Sequence, residues 1–191
     1  PQGVCSQLNA FGQSFYLMDD RTFRQPNKDQ IEKEIFGHWG QTQHEWLLQK
    51  LTQTQKPAWI VNGNQCFNGK DLSFKESFEA NHPKEFVDFV NQLKGVSAPV
   101  VFASGDIHLS EIMQIPAERL GYQTYEFTSS SMHSYAGEGW DNPMRIDGAY
   151  TIEFNFFMVQ SRNHNGAFKI DVQCLGLPTT PYFEKSFVVQ S

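Results

Sequence analysis

Apolar residues recur along this chain at distinct spacings, and each spacing predicts a different element. SFYLMDD, Ser14 to Asp20, is a short apolar run ending in two acids, and reads as a strand running out to a polar edge. From Gln41 to Thr52, Trp46, Leu47, Leu48 and Leu51 fall on helical spacing and predict an amphipathic helix. A strand around Ala58 to Val61 follows, stopped by Asn62-Gly63-Asn64. HPKEFVDFVNQL predicts a second helix, with Pro83 in its first turn and Phe86, Phe89, Val90 and Leu93 on one face. Gly95 is expected to close it in a left-handed conformation. The next run, in APVVFAS, is continuously apolar and predicts a strand covered on both faces. Twice, then, a helix leads into a buried strand that ends in a polar turn, the order of an α/β fold.

After about residue 120 the pattern changes. TYEFTSSS, YTIEFNFFMVQS, AFKIDVQCLG and KSFVVQS alternate or run apolar between Gly-, Asn- and Pro-containing turns and predict antiparallel strands, those after residue 149 with Phe-rich core faces. SMHSYAGEGWDNPMRIDG, between the first two, reads as one long loop, which is uncommon without a function. The prediction is a mixed-sheet α/β fold with antiparallel strands toward the C-terminus. At 191 residues it is one domain, or part of one.

A formal charge of −6 argues against nonspecific binding to nucleic acid or anionic membrane, since both need a basic surface. No apolar stretch reaches the roughly 18 residues of a membrane-spanning helix. Cys5, Cys66 and Cys174 are far apart and form no CxxC pair, which gives no support to a zinc ribbon or a thioredoxin-type site.

The chemistry gathers at predicted strand ends. Ligands of open α/β sheets bind beyond the carboxyl ends of the strands. Three polar clusters occupy such ends: Asp19-Asp20-Arg21, Asn62-Gly63-Asn64-Gln65 and Ser104-Gly105-Asp106-Ile107-His108. Asp106 and His108, two apart on a Gly-containing turn, suit a divalent ion or a metal plus a proton donor. The plainer alternative is that both cap the turn by bonding to backbone. The coincidence with two other polar strand ends favours a site.

These stretches also resemble a known family. SGDIHLSEI is similar to the SGDxH motif of alkaline phosphatase D (PhoD-like) metallophosphoesterases. In the family's order, FYLMDDRTFR resembles its strand followed by LDxRxxR, and GQTQHEWLLQKL its Gly-, Gln- and Trp-Leu-bearing helix. AWIVNGNQ resembles the strand after that helix, and TSSSMH the strand after the GDxH motif. The resemblance implies the C-terminal part of a four-layer α/β/β/α metallo-dependent phosphatase sandwich that hydrolyses phosphomonoesters or phosphodiesters. It implies metal ions that polarise a phosphoryl oxygen and activate water, with Asp106 as a ligand and His108 as a ligand or phosphate-side donor. Where related enzymes carry a histidine and GHxH, this chain has NGNQ and GDIH. An oxygen-rich set of this kind favours calcium, magnesium, manganese or iron over zinc.

The family's first metal motifs precede the SFYLMDD strand, and the thirteen residues found there match none of them. On the resemblance, residues 1–191 are therefore a partial domain. Its partners are a phosphoester substrate and the N-terminal portion of the same domain. The family's members are commonly exported, which implies the periplasm or the cell exterior. Arg21 is a candidate for a phosphate oxygen or for a structural pair with an Asp. Asn62, Gln65 and His133 are candidates for the substrate pocket, Asp141 for a further metal ligand, and Glu111 for a supporting role on the face opposite Ile112. His82, before Pro83, is expected at the surface, while His38, His44 and His164 show no partner spacing. The rival reading is a noncatalytic scaffold or binding module that has lost its metal site.

Overall fold

The computed structural model describes residues 3–26, 35–69, 76–130, 132–134, 141–164, 167–177 and 179–190. An antiparallel hairpin, β1 (Ser6–Ala10) and β2 (Gln13–Leu17), opens the chain. Helix α1 (Gln41–Gln53) crosses to β3 (Ala58–Asn64), and α2 (Phe78–Asn81) with α3 (Pro83–Leu93) cross to β4 (Val100–Gly105). After β4 come β5 (Ser110–Ile115), α4 (Ala117–Leu120), β6 (Thr124–Ser129) and β7 (Arg145–Thr151). Together these strands form one mixed sheet in the order β1-β2-β3-β4-β6-β5-β7. Its central run β2-β3-β4-β6 is parallel, so those four carboxyl ends share one edge. A second, antiparallel sheet contains β8 (Asn155–His164), β9 (Ala167–Gly176) and β10 (Phe183–Val189) in the order β10-β9-β8.

Alternation along the central strands separates two cores. Ile60, Phe102 and Met113 face the helices, meeting Leu47 and Leu51 of α1 and Phe86, Phe89 and Leu93 of α3. Their neighbours Trp59, Val101 and Ile112 face the small sheet, meeting Phe168, Ile170, Val172 and Phe187. β4 is thus covered on both sides, which explains its unbroken apolar run. The described residues form three layers, helices on sheet on sheet.

Several boundaries differ from the expectation. The polar Asn62-Gly63-Asn64 does not stop β3; the strand continues through it with a shift of register against β4. YTIEFNFFMVQS is broken, with β7 ending at Thr151 and β8 beginning at Asn155. The predicted long loop is shorter, because its RIDG end is already β7; its residues 131 and 135–140 lie outside the described residues. β6 pairs parallel with β4 as well as antiparallel with β5. Gly95 does not take a left-handed φ, and α3 ends on the right-handed Lys94. Phe168, Phe183 and Phe187 are core, but Phe154 and Phe156 are exposed.

His82 is buried, contrary to its expected surface position. It lies within 5.2 Å of the His38 ring, and His38 itself stacks on Phe78. The carboxylate of Glu85, fully buried on α3, organises this region. It accepts the backbone N–H of His38 at 2.6 Å and that of Trp39 at 3.3 Å, and meets His44 Nδ1 at 3.4 Å. Residues 38–39, ahead of α1, are thereby pinned to α3. Gly40, at the N-terminus of α1, has φ +78°, and a side chain there would press on Phe23 at 3.1 Å.

Candidate functional site

The parallel run places the three polar strand ends side by side. Gln43 of α1 fixes the end of β2: its Oε1 accepts from Asp19 N, and its Nε2 donates to Asp19 O and Trp39 O. Asp19 then accepts from Val4 N, from Arg21 N and from both the backbone and hydroxyl of Thr22. Burial opposes its charge, but these donors outweigh burial and hold the carboxyl well below its usual range. Asp20 lies across the end of β3, accepting Asn64 N at 2.6 Å. Burial raises its pKa, against the Asn64 N–H and the charges of Arg21 and Arg24. Position 63 must be glycine for this approach, because a Cβ there would lie 2.6 Å from Asp20 Oδ1.

Asn64, fully buried, ties the cluster together. Its Nδ2 donates to Asp106 Oδ2 at 2.8 Å and to Glu76 O at 3.0 Å, and its Oδ1 accepts from Arg24. Asp106 Oδ1 receives Arg21 Nη2 at 3.3 Å. The turn after β4 holds Asp106 at φ +73° and His108 at φ +57°, left-handed conformations uncommon outside glycine. Asp tolerates that region better than most residues. The turn reverses the chain into β5 while keeping the Asp106 carboxylate at the sheet edge. An open cleft of about 340 Å³ lies beside it, lined by Arg21, Arg24, Gln25, Pro26, Glu76 and Asp106. Burial lowers the Arg24 pKa, with Asp20 opposing the shift.

Of the residues singled out from sequence, Arg21 and Asp106 meet in this cleft. His108 is exposed on the same turn, but among the described residues no group of three His, Cys, Asp or Glu is placed to hold a metal ion. Asn62 is buried, donating to Asn64 O at 2.9 Å and accepting Trp39 Nε1 at 2.9 Å. Gln65 is buried too, donating to Glu111 Oε1 at 2.8 Å and to Thr128 Oγ1 at 3.1 Å. His133 is exposed. Asp141 lines a different cleft, of about 570 Å³, together with Asn142, Arg145 and Tyr150. Glu111 faces away from Ile112 as expected; it is fully buried and receives Gln65, Asn142 and Arg145.

Asn64, Arg24 and Glu126 were not singled out. Asn64 and Arg24 stood inside quoted motifs, NGNQ and DDRTFR, where spacing alone does not say which polar residue turns inward. Glu126 carried a readable signal: it alternates with Tyr125 and Phe127 on a predicted strand.

Comparison with known proteins decides the fold. No family model matches the chain, and no curated protein does. A solved structure titled "Structure of PhoD" matches 98% of this chain with a TM-score of 0.64 and 19% sequence identity. The chain is PhoD-like in fold. It spans 42% of the length of the PhoD chain in that structure. At this identity the likeness is one of architecture. In this chain the sequence motifs occupy successive elements: DDR after β2, Gln43, Trp46 and Leu47 on α1, Asn62 and Asn64 at the end of β3, Asp106 and His108 just after β4, and Thr128 and Ser129 at the end of β6.

Proposed function

We propose that this chain is the C-terminal portion of a PhoD-like phosphatase domain, and that the carboxyl edge of its large sheet forms one wall of a metal-dependent phosphoesterase site. In this reading the parent protein hydrolyses phosphomonoesters or phosphodiesters and is exported to the periplasm or beyond. The observation that supports it most is the convergence of three polar strand ends on Asp106, beside an open cleft carrying two guanidinium groups. Arg21 and Arg24 supply the planar donor geometry that suits phosphate oxygens. Asp106 and His108 are this chain's contribution to the metal centre; Asp141, which lines a separate cleft, is not assigned to it.

The described residues do not fit a complete metal centre. No third His, Cys, Asp or Glu joins Asp106 and His108, and both oxygens of Asp106 are bonded to Asn64 and Arg21. We therefore assign the remaining ligands to the other portion of a four-layer sandwich and derive no catalytic step from this half. That portion would cover the outer face of the small sheet, where Phe156, Met158 and Val188 are exposed. Among the described residues no helix is long and apolar enough to cross a membrane.

The engaged carboxylate of Asp106 also favours the rival reading, a noncatalytic module whose site is closed by its own arginine. Elemental analysis and phosphodiester turnover of the full-length parent, beside its Asp106→Ala variant, separate the two. The enzyme reading expects bound metal and turnover, both lost in the variant. A full-length protein without metal or turnover leaves the module. The isolated 191-residue chain is expected to be inactive, and robust metal-dependent turnover of a chromogenic phosphodiester by it would overturn the assignment as a partial site.

A further inference from the structure

On β6 of the large sheet, one more carboxylate is buried, and among the described residues no cation pairs with it. Glu126 is fully buried on β6, in register between Phe102 of β4 and Met113 of β5, both part of the apolar core against the helices. Its two oxygens accept the backbone N–H of Cys66 at 2.6 Å and of Phe67 at 2.8 Å. These residues follow Asn64 and Gln65 directly. The side chain of Gln65 is held in turn by Glu111 and Thr128. The segment leaving the site is thus pinned at three successive residues by groups from β5 and β6, while Asn64, at its head, holds Asp106.

We propose that Glu126 is a positioning residue whose ionised form clamps the Gln65–Phe67 segment and, through Asn64, sets the seat of Asp106. Two backbone donors on two separate oxygens fit a carboxylate; protonation turns one acceptor oxygen into a donor and releases one N–H. Beyond these two donors, the Ser104 hydroxyl also supports its charge, and its other neighbours do not. From β5 comes Glu111, whose like charge opposes it and which has Arg145 of β7 for itself. The segment after β3 contributes the buried Cys66 thiol, and β4 contributes the Ser104 hydroxyl. On the far side of Phe67, Arg119 is paired with Glu79. Among the described residues no cation bonds to Glu126. Burial accordingly raises its pKa to about 7, against the two N–H donors and the Ser104 hydroxyl. The clamp is therefore half released near neutrality and complete on the alkaline side. This inference does not rest on the phosphoesterase reading.

The test follows the isotope-labelled chain by NMR from about pH 5 to about pH 9, a window that contains the raised carboxyl pKa and excludes ordinary carboxylates. The expected result is that the Cys66 and Phe67 amides titrate with one shared near-neutral midpoint. The Glu126 carboxyl carbon and the Asn64 side-chain amide should follow the same midpoint. In Glu126→Gln the titration should vanish, and hydrogen-exchange protection of those amides at high pH should fall roughly tenfold, the scale of one lost hydrogen bond. A purely packing role predicts amides that do not move with pH. Flat amides in the wild type, or an unchanged titration in Glu126→Gln, would overturn the proposal. If that variant does not fold, the wild-type carboxyl signal decides: a carboxyl ionised throughout overturns the proposal, and one titrating with the amides supports it.

Discussion

Two polar clusters lie along the large sheet, and they differ in what surrounds them. The one at Glu85 is sealed: carboxylate, His38 and His44 are all buried, and the carboxylate spends its oxygens on backbone donors and an imidazole. The one at Asp106 is open, with its arginine partner 70% exposed and a cleft alongside. A sealed carboxylate cannot exchange its partners for water, so removing it strands donors in the core. An open pair has water as a ready substitute, which makes it weak as a brace and available to a ligand. The first is built for stability and the second for exchange.

The largest test of that contrast is Glu85→Ala. It leaves the His38 and Trp39 amides and the His44 ring without their acceptor, and is expected to cost about 4 kcal/mol in denaturant unfolding. Next comes Glu126, sealed but without a cation. Its folded pKa lies above the unfolded value of 4.5, so the folded state binds the extra proton between the two. Stability is therefore complete below about 4.5 and falls as pH rises toward about 7, by about 3 kcal/mol from this group. Unfolding at acid and alkaline pH measures it, and Glu126→Gln should flatten that slope. Gly63→Ala, which drives a Cβ against Asp20, is expected to cost about 2 kcal/mol. The smallest effect on stability is expected at the open cluster, where Asp106→Ala should stay within about 1 kcal/mol. A loss at Asp106 as large as that at Glu85 would erase the distinction.

Much of the frame was legible because it depends on local periodicity. α1, α3, β4, β9 and β10 were all predicted within a few residues, since apolar spacing reports which face is buried wherever the opposite face is polar or equally apolar. The hairpin strand β1 was not foreseen, and β5 was anticipated only in the alternation of Glu111 with Ile112. β1 is largely exposed and carries no apolar alternation, and β5 directly follows a turn whose polar residues had drawn the reading toward chemistry. His82 was misplaced because a histidine before a proline looks like a solvent-facing helix start. Only the packing of His38 and Phe78 shows that this start is buried.

The site shows the same division at finer scale. Asp106, His108 and Arg21 were visible as residues at strand ends, and the sheet brings Asp106 and Arg21 together. Asn62 and Gln65 belonged to the same polar run as Asn64, yet each serves an internal bond of its own. Pairing Asp106 with Asn64 joins positions 42 residues apart, and no local pattern encodes such a contact.

By itself, then, the sequence determined the α/β order, the buried strand, the polar strand ends and a collinear PhoD-like likeness, because these are written in short-range spacing and composition. Tertiary structure alone decided which polar residue turns toward the cleft, which carboxylates are sealed, and that Glu126 holds backbone rather than solvent. The reason is physical: burial and partner choice are set by strands adjacent in the sheet and remote in the chain.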